Sequence, residues 1–127
     1  MLKATVAAWA LSGAPSTLLA MLRRDDLLWP SIAAGTLVPG RRDRPGLAAG
    51  LAAHTVVSAL WAPLVAKAVE GRRHPVLAGA AAGLAIAAVD LGIIGRRYPA
   101  IAALPQAPQW ADHAAFGAVV GWMSARR

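Results

Sequence analysis

The sequence predicts an all-α integral membrane protein: a four-helix bundle with a short interfacial or re-entrant segment between the first two spans. Three observations carry that prediction. Hydrophobic residues make up 57% of the 127 residues and charged residues only 15%, against roughly 25% charged in an ordinary soluble domain. The charges are also bunched: Arg23-Arg24, Arg41-Arg42 with Arg44, Arg72-Arg73, Arg96-Arg97 and Arg126-Arg127 stand between long, almost uncharged runs. A soluble helix spreads charge along its outer face, whereas a membrane helix confines it to its ends. Finally, the uncharged runs approach the crossing length of about 20 apolar residues.

Span one is expected over residues 2–22, stopped by Arg23, Arg24, Asp25 and Asp26. Lys3 followed by an apolar stretch resembles a signal peptide, but Pro15 directly follows the small residues Ser12, Gly13 and Ala14, so a retained span is expected. Pro15 should kink it, freeing backbone carbonyls beside Ser16 and Thr17. Residues 27–38 are apolar but too few to cross, and Pro30 interrupts them. They read as an interfacial helix capped by Asp25 or Asp26, or as a re-entrant loop. Span two is expected over 46–66, with Pro63 as a second kink, and span three over 76–95. Span four is shorter, because the run from Trp110 to Met123 reaches only ~21 Å at 1.5 Å per residue. It is therefore placed from Pro108, over 108–123, or in a thinned, protein-lined region.

With four spans, one face of the membrane receives seven Lys and Arg and the other six, which leaves orientation undetermined. The chain also hints at duplication. An Arg pair follows spans one and three, and spans two and four each carry a histidine and then a tryptophan: His54 with Trp61, His113 with Trp122. Arginine outnumbers lysine 11 to 2 in a chain rich in Ala, Gly and Pro. That bias suits a GC-rich bacterial genome, and with the predicted spans the chain is expected to be a multi-pass protein of the bacterial inner membrane.

Three small-residue stripes run at four-residue spacing, which lets membrane helices approach closely. They are Gly46 and Gly50 in span two, Gly79 and Gly83 in span three, and Gly117 and Gly121 in span four. Such stripes serve either packing within the bundle or seams with a second copy or with partner membrane helices.

Polar residues inside the spans are costly, about 3 kcal/mol for an Asp at mid-span. Asp90 is the one carboxylate inside an apolar run. Tracing the chain brings Asp90, His54, His113, Ser16 and Thr17 into one leaflet, with His54 and His113 at different depths. A His–Asp pair there would be a titratable element, because imidazole changes charge near neutral pH. The expected function is binding or translocating a small solute or proton through this polar pocket. The alternatives are structural neutralisation of Asp90 by a histidine or Arg96, or a scaffold that packs partner helices on its small-residue faces. Trp9, Trp61, Trp110 and Trp122 read as belt anchors or packing residues, and His74 as solvated.

Other chemistries find little footing. The net charge of +7 comes from Arg pairs at span ends, not from a basic stripe, so nucleic acid is not an expected partner. The lipid bilayer is. Without cysteine there is neither a disulfide nor a thiolate metal site. No nucleophile elbow, phosphate loop or zinc helix is present, so neither catalysis nor a bound metal is expected. A Ser16–His54–Asp90 triad would need geometry to support it. No cofactor is expected, with haem on His54 and His113 a lesser alternative.

The run from Asp112 to Trp122, which contains His113, Phe116, Gly117 and Gly121, resembles the last helix of small, Ala-rich bacterial membrane proteins with an HxxFGxxxG pattern. The resemblance implies a four-helix membrane fold and no activity. In size and span number the chain is also similar to the small multidrug-resistance transporters. It lacks the acid they carry in their first helix, which argues against drug export by their mechanism.

Overall fold

A computed structural model describes residues 1–126. Among them the chain is helical throughout, without strands, and three segments are long and apolar enough to cross a membrane: Leu2–Arg23, Leu47–Val69 and Pro75–Arg97.

The first segment is not one helix. It divides into α1 (Leu2–Leu11) and α2 (Ala14–Arg23) around Ser12 and Gly13. Pro15 is the cause, since it has no N–H for the Leu11 carbonyl and its ring would press on that carbonyl. The disruption therefore falls before Pro15, and the carbonyl drawn into other contacts is that of Trp9. Next come a short helix α3 (Trp29–Ala34) and a 3-10 turn, Gly35–Leu37. Asp26 does not cap α3 but accepts the Leu28 N–H at 2.8 Å in the preceding turn. Helix α4 (Leu47–Val69) runs unbroken through Pro63. Gly71, with φ of 70°, turns the chain into α5 (Pro75–Val89). At Asp90–Ile94 that helix widens into a π-turn, then tightens into a 3-10 turn, Gly95–Arg97. The short α6 (Pro99–Ala102) leads to α7 (Gln106–Ala125), where Pro108 sits in the first turn and needs no N–H partner.

Glycine decides the packing. A Cβ added to Gly79 would collide with the Gly117 carbonyl, one on Gly83 with the His113 carbonyl, and one on Gly121 with the Pro75 carbonyl. α5 and α7 thus lie backbone to backbone along their length. Gly50 meets the Ser31 carbonyl, and Gly35 meets Gly46, so α3 and its 3-10 turn press on the start of α4. The Gly46 N–H completes that contact by donating to the Ile32 carbonyl at 3.0 Å.

Two apolar clusters fill the remaining space. Ala8, Ala62, Val65, Val69, Ile86, Phe116 and Val120 form one, and Ala33, Ala87, Leu91, Ile101 and Leu104 the other. The second joins α3 to α6, two short helices with a shared sequence: Trp29-Pro30-Ser31-Ile32-Ala33-Ala34 against Tyr98-Pro99-Ala100-Ile101-Ala102-Ala103, each following an Arg pair. The larger aliphatic side chains, by contrast, point outward: Leu2 is 77% exposed, Leu22 74%, Leu77 69% and Val56 67%. Small side chains inside and large apolar ones outside are what lipid as solvent favours.

Candidate functional site

The glycine seam ends at the polar residues. Gly79, Gly83 and Ala87 continue on one face of α5 to Asp90, while Gly121, Gly117 and His113 form the facing stripe of α7. Where the seam closes, His113 Nε2 stands 3.4 Å from Asp90 Oδ2. That separation is a charge contact longer than a charge-assisted hydrogen bond. The same carboxylate oxygen accepts the Trp61 Nε1–H at 3.1 Å. His113 Nδ1 lies 2.8 Å from the Gln109 carbonyl. A carbonyl can only accept, so Nδ1 carries a proton and the tautomer is settled. Asp90 is the first residue of the π-turn, whose wide loop is closed by the Gly95 N–H donating to the Asp90 carbonyl. A π-turn re-aims the side chain at its start and often marks a functional position.

A second contact joins α7 to the divided first segment. Asp112 Oδ1 accepts the Ser16 backbone N–H at 2.8 Å. Ser16 lies in the first turn of α2, where N–H groups have no partner within the helix, and no side chain from Gly13 caps it. Asp112 therefore caps α2 from another helix, with its negative charge at the positive end of the helix dipole. The Ser16 hydroxyl turns away and donates to the Gly13 carbonyl at 3.3 Å.

His54 does not join Asp90. Its Nε2 donates to the Trp9 carbonyl at 3.3 Å, and its ring lies 5.7 Å from that of Trp9. The division between α1 and α2 makes this possible, since the same carbonyl also accepts the Ser12 hydroxyl at 3.4 Å. Thr17 is exposed and takes no part. His54 and His113 each lie seven residues past the first residue of their helices.

Of the five expected residues, Asp90 and His113 meet directly, Ser16 enters through its backbone, His54 is held separately, and Thr17 is outside. Trp61, Trp9 and Asp112 are the participants the sequence reading did not assign. At the far end, the Lys67 ammonium lies 2.8 Å from Glu70 and holds that exposed carboxyl below its usual range. No family model, curated protein or solved structure matches this chain, so the site rests on its own geometry.

Proposed function

We propose that the chain is a four-helix protein of a bacterial inner membrane that binds a proton at the Asp90–His113–Trp61 cluster and can pass it along the helix interior. The observation that carries this reading is the Nε2–Oδ2 contact. Because Nδ1 holds its own proton against the Gln109 carbonyl, Nε2 faces Asp90 with either a proton or a bare lone pair. A lone pair opposite a carboxylate is repulsive in low dielectric. A proton taken up in the gap relieves that repulsion, as imidazolium with carboxylate or as imidazole with carboxylic acid. Asp112, the neighbouring residue on α7, is the other titratable group beside the pair, and His54 on α4 stands beyond it, near Asp112. The polar groups meet one another, so what the cluster takes up without rearrangement is a proton and not a larger solute.

Support for a fourth crossing comes from α7 itself. Its 20 residues reach ~30 Å, and its contacts with α5 run from Gly121 at Pro75 to His113 at Asp90. Its polar residues Asp112 and His113 face protein, where lipid imposes no apolar requirement. The same packing occupies the small-residue faces from within, which favours the proton reading over a scaffold that packs partner helices on those faces.

Trp61 supplies the test, because its indole N–H reads the charge on Asp90. In micelles, the fraction of emission lost in Trp61→Phe should respond to pH, and Asp90→Asn should abolish that response while keeping the melting temperature. An unchanged pH response in Asp90→Asn would overturn the reading.

A further inference from the structure

We propose that the groove between the π-turn and the start of α7 binds an anionic phospholipid, with its phosphate at Arg96 and an acyl chain along Leu91 and Gly92. The groove has a volume of about 290 Å³ and is lined by Leu91, Gly92, Arg96, Ala102, Gln106 and Trp110. Its chemistry is that of a lipid: a guanidinium for phosphate, an indole suited to the headgroup level, and an apolar wall beside the exposed Ile93 and Ile94.

Two independent features add to Arg96. The first turn of α7 opens beside the groove with Pro105 before it, no capping side chain and no acidic residue. Pro105 and Pro108 have no N–H, so the backbone donors of Gln106 and Ala107 present the positive end of a 20-residue helix. Charge also accumulates at this end of the molecule. Arg23, Arg24, Arg41, Arg42, Arg44, Arg96 and Arg97 stand against Asp25, Asp26 and Asp43, seven against three for a net +4. Among the described residues none of these forms an ion pair. Arg42 ties its loop to the groove's edge by donating from Nε to the Arg97 carbonyl at 2.7 Å. A surplus of unpaired guanidinium at the membrane boundary is matched by anionic headgroups.

This site depends on membrane embedding and not on proton binding, so its failure would leave the Trp61 pH response intact. The test is native mass spectrometry of protein released from nanodiscs of mixed phosphatidylglycerol and phosphatidylcholine. Wild type should retain one phosphatidylglycerol per chain. Arg96→Gln should lower that retention about fivefold, the worth of one arginine at an anionic surface. Gly92→Leu should lower it by filling the groove while keeping the wild-type melting temperature, because a Cβ at Gly92 meets nothing within 4 Å. Arg126→Gln, at the opposite end, should retain it. Equal retention of phosphatidylcholine, release by excess inorganic phosphate, or retention in both Arg96→Gln and Gly92→Leu would each overturn the assignment.

Discussion

At the scale of the residue, the arrangement turns on which atoms have only one possible role. The Gln109 carbonyl fixes the His113 tautomer, and the Ser16 N–H fixes the acceptor role of Asp112. The second contact gives a direct prediction. Asp112→Ala removes the cap from α2 and leaves a partly buried N–H without a partner, at a cost of about 1–2 kcal/mol. Asp112→Asn keeps an acceptor oxygen and should lose less. Thermal unfolding in micelles, followed by size exclusion, ranks the three proteins; Asp112→Ala melting with wild type would refute the cap. Asp90 and His113 were legible in the sequence because ionisable groups in an apolar run are expensive and need partners. Their companions were not. An indole N–H at a span's middle reads as packing until a carboxylate is seen beside it, and Asp112 reads as a local helix-start acid because its partner lies 96 residues away.

At the scale of the element, closeness of approach decides which side chains can meet. The seam between α5 and α7 exists because Gly79, Gly83, Gly117 and Gly121 have no Cβ. Gly117→Ala would drive a methyl into the Gly79 carbonyl, and overpacking of this kind costs about 1–3 kcal/mol. Gly92→Ala is the matched control. It meets open space, and replacing a helical glycine there should be neutral or stabilising by up to about 1 kcal/mol. If both alanine variants shifted the melting temperature equally, the seam would not be the determinant of packing. The stripes themselves were legible at four-residue spacing, but a sequence does not say which stripes pair. The division of span one was half legible: Pro15 marks it, yet the chain yields just before it, at Ser12 and Gly13, where glycine offers the least resistance. Nothing in the pattern marks the π-turn at Asp90, since apolar residues continue on both sides. The shared aromatic-Pro-x-Ile-Ala-Ala of α3 and α6 is visible in the sequence, but the differing loop lengths that follow hide it from a fixed repeat period.

At the scale of the whole molecule, the question is how many times the chain crosses. Three segments qualify on apolarity, and α7 falls short because Gln106, Gln109, Asp112 and His113 occupy its first half. Apolarity is required only of surface that meets lipid. α7 packs on α1, α2, α4 and α5, so much of its circumference meets protein instead. If α5 crosses, α7 crosses with it, because the two share backbone contact from Pro75 to Asp90. The cysteine-free chain is ready for the measurement. Single cysteines at Asp43, Arg73, Ala103 and Arg126, labelled in sealed vesicles with an impermeant maleimide, should fall into two groups. Four crossings place Asp43→Cys with Ala103→Cys on one face, and Arg73→Cys with Arg126→Cys on the other. Arg126→Cys labelling together with Ala103→Cys would mean that α7 returns without crossing. In that case the contact between Asp90 and His113 would lie at the membrane surface, where water solvates both groups and weakens the repulsion that favours a proton between them.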